Sequence, residues 1–147
     1  MVSNTTSGDG AGGSAAYFES GRGAADPNDR PAFVNLEAET PRLEAAPGVF
    51  LRPVFGKRLS LSYVEIEPNS EAPLHDHAEE QIGLILEGSC RFELAGETRV
   101  LKPGDVYVAP PFVPHGAWTD DESCRILDVF SPPREAFRIL MAQQGKG

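Results

Sequence analysis

From Val49 onward the apolar runs of this chain are short, and Gly or Pro interrupts them about every eight to twelve residues. That rhythm leaves no room for helices between strands, so it restricts the chain to an antiparallel sandwich or barrel. Strands are expected near 49–55 (VFLRPVF), 58–67 (RLSLSYVEIE), 81–87 (QIGLILE), 89–95 (SCRFELA), 98–101 (TRVL), 105–109 (DVYVA) and 124–131 (CRILDVFS). Turn signals such as EPNSEAP, AGE, KPGD, PPFVP and TDDES separate them. One helix follows, opening at the double proline of SPPREAFRILMAQQ, with Ala136, Phe137, Leu140 and Met141 as its apolar stripe.

Residues 1–30 read differently. They are rich in Gly, Ser, Ala and Asp and show no helical or strand period, which predicts a flexible extension that the fold does not need. The AYF patch at 16–18 within it is suited to dock on a partner subunit. The remainder, 31–147, is long enough for one domain with a real core. A net charge of −9 argues against nucleic acid and against an anionic membrane surface, since phosphate binding needs a basic patch. No apolar run approaches membrane-spanning length, and the N-terminus lacks a basic, then apolar, secretory pattern. Cys90 and Cys124 stand in no zinc-type spacing and read as reduced, buried thiols of a cytoplasmic protein.

The chemistry is concentrated in PLHDHAEEQIGLILEGS, residues 73–89, which hold two of the chain's three histidines. In an extended segment alternate residues face one side, so His75 and His77 point together and can share one ion. An isolated HxH pair is as readily two solvated histidines in a loop. The third histidine, His115, also falls at a strand edge, in PGDVYVAPPFVPHGAW, and three convergent imidazoles point to a metal site. Alternation puts Gln81, Gly83 and Ile85 on one face of the strand and Glu80, Ile82 and Leu84 on the other. Gln81 and Glu79, the latter of the right parity but in the turn, are thus both open as the accompanying ligand. Asp128, Phe130 and Ile126 share a face of the last strand, where a carboxylate is costly unless it is paired, hydrated or used. An outward-facing Asp128 is the alternative. Arg134, at the helix start, can hold an anionic substrate or pair with Asp128. Trp118 is placed either at the pocket mouth or in the core, and Tyr63 and Tyr107 are read as structural.

Residues 69–88 resemble the first cupin motif, an HxH, an acidic or amide ligand, six residues and a Gly; residues 104–119 resemble the second. The resemblance implies an all-β chain, a single antiparallel jelly-roll barrel with a short C-terminal helix. It also implies that His75, His77, Gln81 and His115 bind one divalent metal such as Zn, Ni, Fe or Mn. With DVFSPPRE added, the chain is similar to the KdgF-like cupins of pectin and alginate catabolism, which ketonise unsaturated uronates. Asp128, Phe130 and Arg134 match residues that line the pocket in that family. Asp128 would then be the acid/base, Phe130, Arg134 and Trp118 would contact substrate, and small cupins usually form homodimers. The expected function is metal-dependent proton transfer next to a carbonyl: isomerisation, ketonisation, dehydration or cyclisation of a sugar acid or a natural-product intermediate. A polyketide cyclase-type cupin, an Fe(II) dioxygenase and a non-catalytic ligand-binding cupin are the alternatives. The 2-His-1-carboxylate triad of many such oxygenases is missing. Three positions depart from the pattern: Gly83 replaces a polar residue that would touch substrate, Asn69 replaces a turn glycine, and Phe112 replaces a small turn residue.

Overall fold

The computed structural model describes residues 17–19, 21 and 23–145 of the chain. The flexible extension expected over 1–30 therefore lies outside the described residues at 1–16, 20 and 22. The chain divides into two units, Met1–Phe33 and Val34–Gly147. In the first, the Tyr17 and Phe18 rings meet edge to face at 4.6 Å, and the Asn28 N–H donates to Asp26 Oδ1 at 2.8 Å.

The second unit is an antiparallel double sheet with two helices. Its elements are α1 (Leu36–Glu39), β1 (Leu43–Ala46), β2 (Val49–Phe55), β3 (Ser60–Ile66), β4 (Glu71–His75), β5 (Glu80–Gly88), β6 (Cys90–Leu94), β7 (Glu97–Leu101), β8 (Val106–Ala109), β9 (His115–Trp118), β10 (Cys124–Ser131) and α2 (Glu135–Gln144). One sheet runs β1-β2-β3-β10-β5-β8 and the other β4-β9-β6-β7. This is the expected jelly roll, with more strands than the sequence announced. β1 is written in Leu, Glu and Ala, which are not strand formers, β4 contains Pro73, and β9 is four residues long with Gly116 inside it. Their pairing comes from neighbouring strands, so propensity does not reveal them. α1 was also not anticipated; Asn35 caps it by accepting from the Ala38 N–H at 2.9 Å.

The inner face of the larger sheet changes character along its strands. In β3 the inward residues are Ser60, Ser62, Val64 and Ile66, and in β10 they are Cys124, Ile126, Asp128 and Phe130. In β5 they are Gln81, Gly83 and Ile85. The antiparallel registers align these sets, so Val64, Ile126 and Ile85 lie side by side in an apolar half. Ser62, Asp128, Gly83 and Tyr107 form the next row but one, in a polar half. Leu43, Leu51 and Phe92 complete the apolar core. Cys90 and Cys124 are both free and buried in it. Phe137, Leu140 and Met141 of α2 pack on the core, whereas Ala136, expected in the same stripe, is exposed because it lies one residue off the contacting face. Among the described residues no helix is long and apolar enough to cross a membrane.

Candidate metal centre

Two tight backbone devices deliver the histidines to the polar half of the interior. His75 ends β4 and pairs across the sheet with His115, the first residue of β9. The loop carrying His77 is tied to the loop before β9 by the Phe112 N–H, which donates to the His77 carbonyl at 2.8 Å. Asn69 and Phe112 both have positive φ, 54° and 64°. Asn tolerates that region, but a bulky Phe there is strained, and its ring is left exposed beside the His77 loop.

The three imidazoles converge, with ligand nitrogens all within 4.8 Å of one another. Each ring is held from behind by a backbone carbonyl. Nδ1 of His75 meets the Pro73 carbonyl at 2.7 Å, Nδ1 of His77 meets that of Glu79 at 2.9 Å, and Nδ1 of His115 meets that of Val113 at 2.8 Å. A carbonyl oxygen only accepts, so each Nδ1 carries the proton and each neutral Nε2 keeps its lone pair. Gln81 Oε1 lies 2.9 Å from His77 Nε2 and 3.0 Å from His115 Nε2. Its amide is oriented from the other end: Gln81 Nε2 donates to the Tyr107 hydroxyl at 2.6 Å, and that hydroxyl donates to Asp128 Oδ1.

Three lone pairs thus face one another across hydrogen-bonding distances with no hydrogen between them. A proton, a cation or an added donor such as water can satisfy them. Burial lowers the His77 pKa and pushes that of His115 down to about 4, so neither imidazole holds a second proton near neutral pH. The donor set therefore fits a divalent cation, and imidazole nitrogen with amide oxygen suits several transition metals. The backbone carbonyls supply the outer support that metal-binding histidines ordinarily have.

Glu79 occupies a different place. Its carboxylate lies 3.3 Å from His77 Nδ1, the far nitrogen of the ring, and 3.5 Å from Arg134 Nη1. Of the two residues left open by the sequence, Gln81 is the one that the structure brings to the Nε2 side. Phe130 is brought there too, its ring centroid 5.7 Å from that of His77. Arg134 precedes α2 and is mostly buried, with its guanidinium on Glu79 and 5.5 Å from the Phe137 ring. Asp128 faces inward rather than outward and is 7% exposed, and burial raises its pKa to about 6.

Trp118 is not brought to the site. β9 alternates, so with His115 facing inward Trp118 faces the other side of the sheet. There it lines an outer groove with Asn69, Glu71 and Thr119, and the Arg91 guanidinium lies 5.2 Å from its ring. The residue that sequence reasoning undervalued is Tyr107. In the row Asp128–Gly83–Tyr107 the middle residue has no side chain, and the tyrosine reaches across it to the aspartate. A Cβ on Gly83 would overlap the Tyr107 ring and sit 2.5 Å from Asp128 Oδ1. The missing polar side chain at 83 is thus the space that Tyr107 fills. Gly83→Ala should destabilise the protein by about 1–3 kcal/mol through overpacking, read by denaturant unfolding. Unchanged stability would show that the row can spread at no cost.

The buried charges also set a pH dependence for the metal-free protein. With its folded pKa near 4 against 6.5, His115 contributes a loss of stability as pH falls through that window, because the unfolded chain takes the proton first. Asp128 has the opposite sign: raised from 3.8 to about 6, it is protonated first in the folded state, and its contribution is lost as pH rises through that window. Asp128→Asn removes only the second contribution. The metal-free variant should therefore lose about 1–2 kcal/mol relative to wild type between pH 7 and pH 4.5. Denaturant unfolding at the two pH values measures this, and a gap that narrowed toward acid would contradict it.

Residues 62–130 match the model of the cupin domain. The chain is 30% identical over 104 residues to the pectin degradation protein KdgF of Dickeya dadantii (strain 3937), spanning 69% of this chain and 94% of that protein. It is 37% identical over 71 residues to the H2HPP isomerase of Bacillus subtilis, 47% of this chain but 29% of that protein. The structure of the polyketide cyclase RemF from Streptomyces resistomycificus superposes with a TM-score of 0.61 at 26% identity, over 69% of this chain and 80% of that one.

Proposed function

The chain belongs to the cupin family as a KdgF-like member, and on that premise we propose that this small cupin enzyme is metal-dependent and moves a proton next to a carbonyl of a small anionic substrate. One observation carries the reading. Three imidazoles whose ligand nitrogens lie within 4.8 Å of one another are joined by the Gln81 amide oxygen, beside an inward carboxylate. His75, His77, Gln81 and His115 would hold the ion. A divalent cation held by four neutral donors keeps its full charge and supplies Lewis acidity toward a carbonyl or enolate oxygen.

The chain's own groups do the rest. Asp128, with a pKa raised to about 6, is matched to take and return a proton near neutral pH. Its Oδ1 accepts from Tyr107, which keeps the carboxylate in one orientation. Phe130 meets Phe137 edge to face at 5.3 Å and lies against the His77 ring at 5.7 Å, giving one side of the histidines an apolar wall. Arg134 orients the substrate's anionic group; its ion pair with Glu79 is long, 3.5 Å, and gives way to a better-placed carboxylate. Unsaturated uronates are the first substrates to try, by analogy with KdgF. The test is to follow loss of the unsaturated sugar's ultraviolet absorbance with metal-loaded and metal-stripped protein. Turnover that requires the metal supports the reading; turnover untouched by stripping removes it.

A second reading is favoured by Gly83. Tyr107 takes the place of a polar contact to sugar, and Phe130 and Phe137 add aromatic surface, which suits cyclisation of an apolar polyketide chain. Metal-dependent conversion of a polyketide with no action on uronates would select it.

A further inference from the structure

The hydrogen bonds behind Gln81 run in one direction, and we propose that Tyr107 is a positioning residue that decides which end of the Gln81 amide faces the histidines; the proposal rests on the metal reading above. Asp128 Oδ1 accepts the Tyr107 hydroxyl proton. The phenolic oxygen is then left with lone pairs only, so it can serve Gln81 only as an acceptor, which it does at 2.6 Å. The NH2 end is held away from the imidazoles, and Oε1 is delivered 2.9 and 3.0 Å from the two Nε2 atoms.

Glutamine has no preference of its own here. Rotating the amide exchanges oxygen and nitrogen with almost no change of shape, and would aim two N–H donors at an incoming cation. A carboxylate at the same position has no such ambiguity. An amide ligand therefore needs an outside group to choose its face, and the Tyr107 hydroxyl, with the Asp128 carboxylate behind it and also within reach of Gln81, is the group that the amide N–H meets. The backbone is arranged for it. Gly83 lies between Asp128 and Tyr107 in the strand register, and the absence of a side chain there lets the phenol pass. Tyr107 is buried, 6% exposed, so no solvent competes for its hydroxyl.

The test compares four proteins, wild type, Tyr107→Phe, Gln81→Glu and the double variant, by Co(II) titration against a chromophoric chelator. Tyr107→Phe keeps the ring and so the packing; melting of the metal-free forms confirms that each is folded. Tyr107→Phe should weaken Co(II) binding about 10–100-fold and change the visible spectrum of the Co(II) form. In the Gln81→Glu background, where both ends of the side chain are oxygens, the same change should cost far less. Equal losses in both backgrounds would show a general structural role and overturn the proposal. Unchanged affinity in Tyr107→Phe would overturn it as well. Failure of the wild type to bind Co(II) would instead remove the metal reading itself, and the proposal with it.

Discussion

Replacing His75 and His115 together with alanine should leave the purified protein without bound divalent metal and without detectable turnover. The two residues face each other across the β4–β9 pair, so the double change empties one side of the cluster while His77 and Gln81 remain. Two donors of four are too few to hold a transition ion against water and buffer. The fold should survive, because the apolar half of the interior, with Val64, Ile126 and Ile85, lies elsewhere on the sheet. Removing buried His115 also removes a group that burial holds unprotonated, so the variant should be less sensitive to acid than the metal-free wild type. Elemental analysis gives the decisive number. Full metal content in the double variant would end the metal hypothesis.

Asp128→Asn should lower turnover by about 10²–10⁴-fold when assayed at saturating metal. Asparagine preserves the shape and can still accept from the Tyr107 hydroxyl, but it cannot take a proton from substrate. Saturating metal matters, because Asp128 is also the terminal acceptor behind Gln81. Wild-type turnover on a verified substrate would remove Asp128 from the proton-transfer step. A variant that cannot be saturated would instead show that the carboxylate acts chiefly through the ligand.

Much of this site could be read before any coordinates. The HxH pair and the strict alternation of β5 and β10 are local signals that named the side chains facing inward, and the resemblance to the first cupin motif added the count from Gln81 to Gly88. The role of Tyr107 was not legible, because it depends on three strands being in register across Gly83, and register is not written in any one of them. Trp118 was misplaced for a related reason. Its parity relative to His115 becomes meaningful only once HGAW is known to be a strand, and Gly116 and the shortness of the segment conceal that. The pairing of Glu79 with Arg134 joins two loops distant in sequence, which periodicity does not address.

The place of β10 has a kinetic consequence. It is the last strand in the chain, yet it sits inside the larger sheet, bonded to β3 on one side and β5 on the other. Until it inserts, β3 and β5 are both open edges, able to pair with other molecules. Sheets built on such distant pairings fold on the order of milliseconds to seconds. Asp128 and Phe130 ride on this strand, so they meet Gln81 only when it closes. A form in which β10 has not inserted has no complete site: in a refolding experiment, recovery of catalysis should keep step with closure of the sheet, and crowding before that moment should favour aggregates over enzyme.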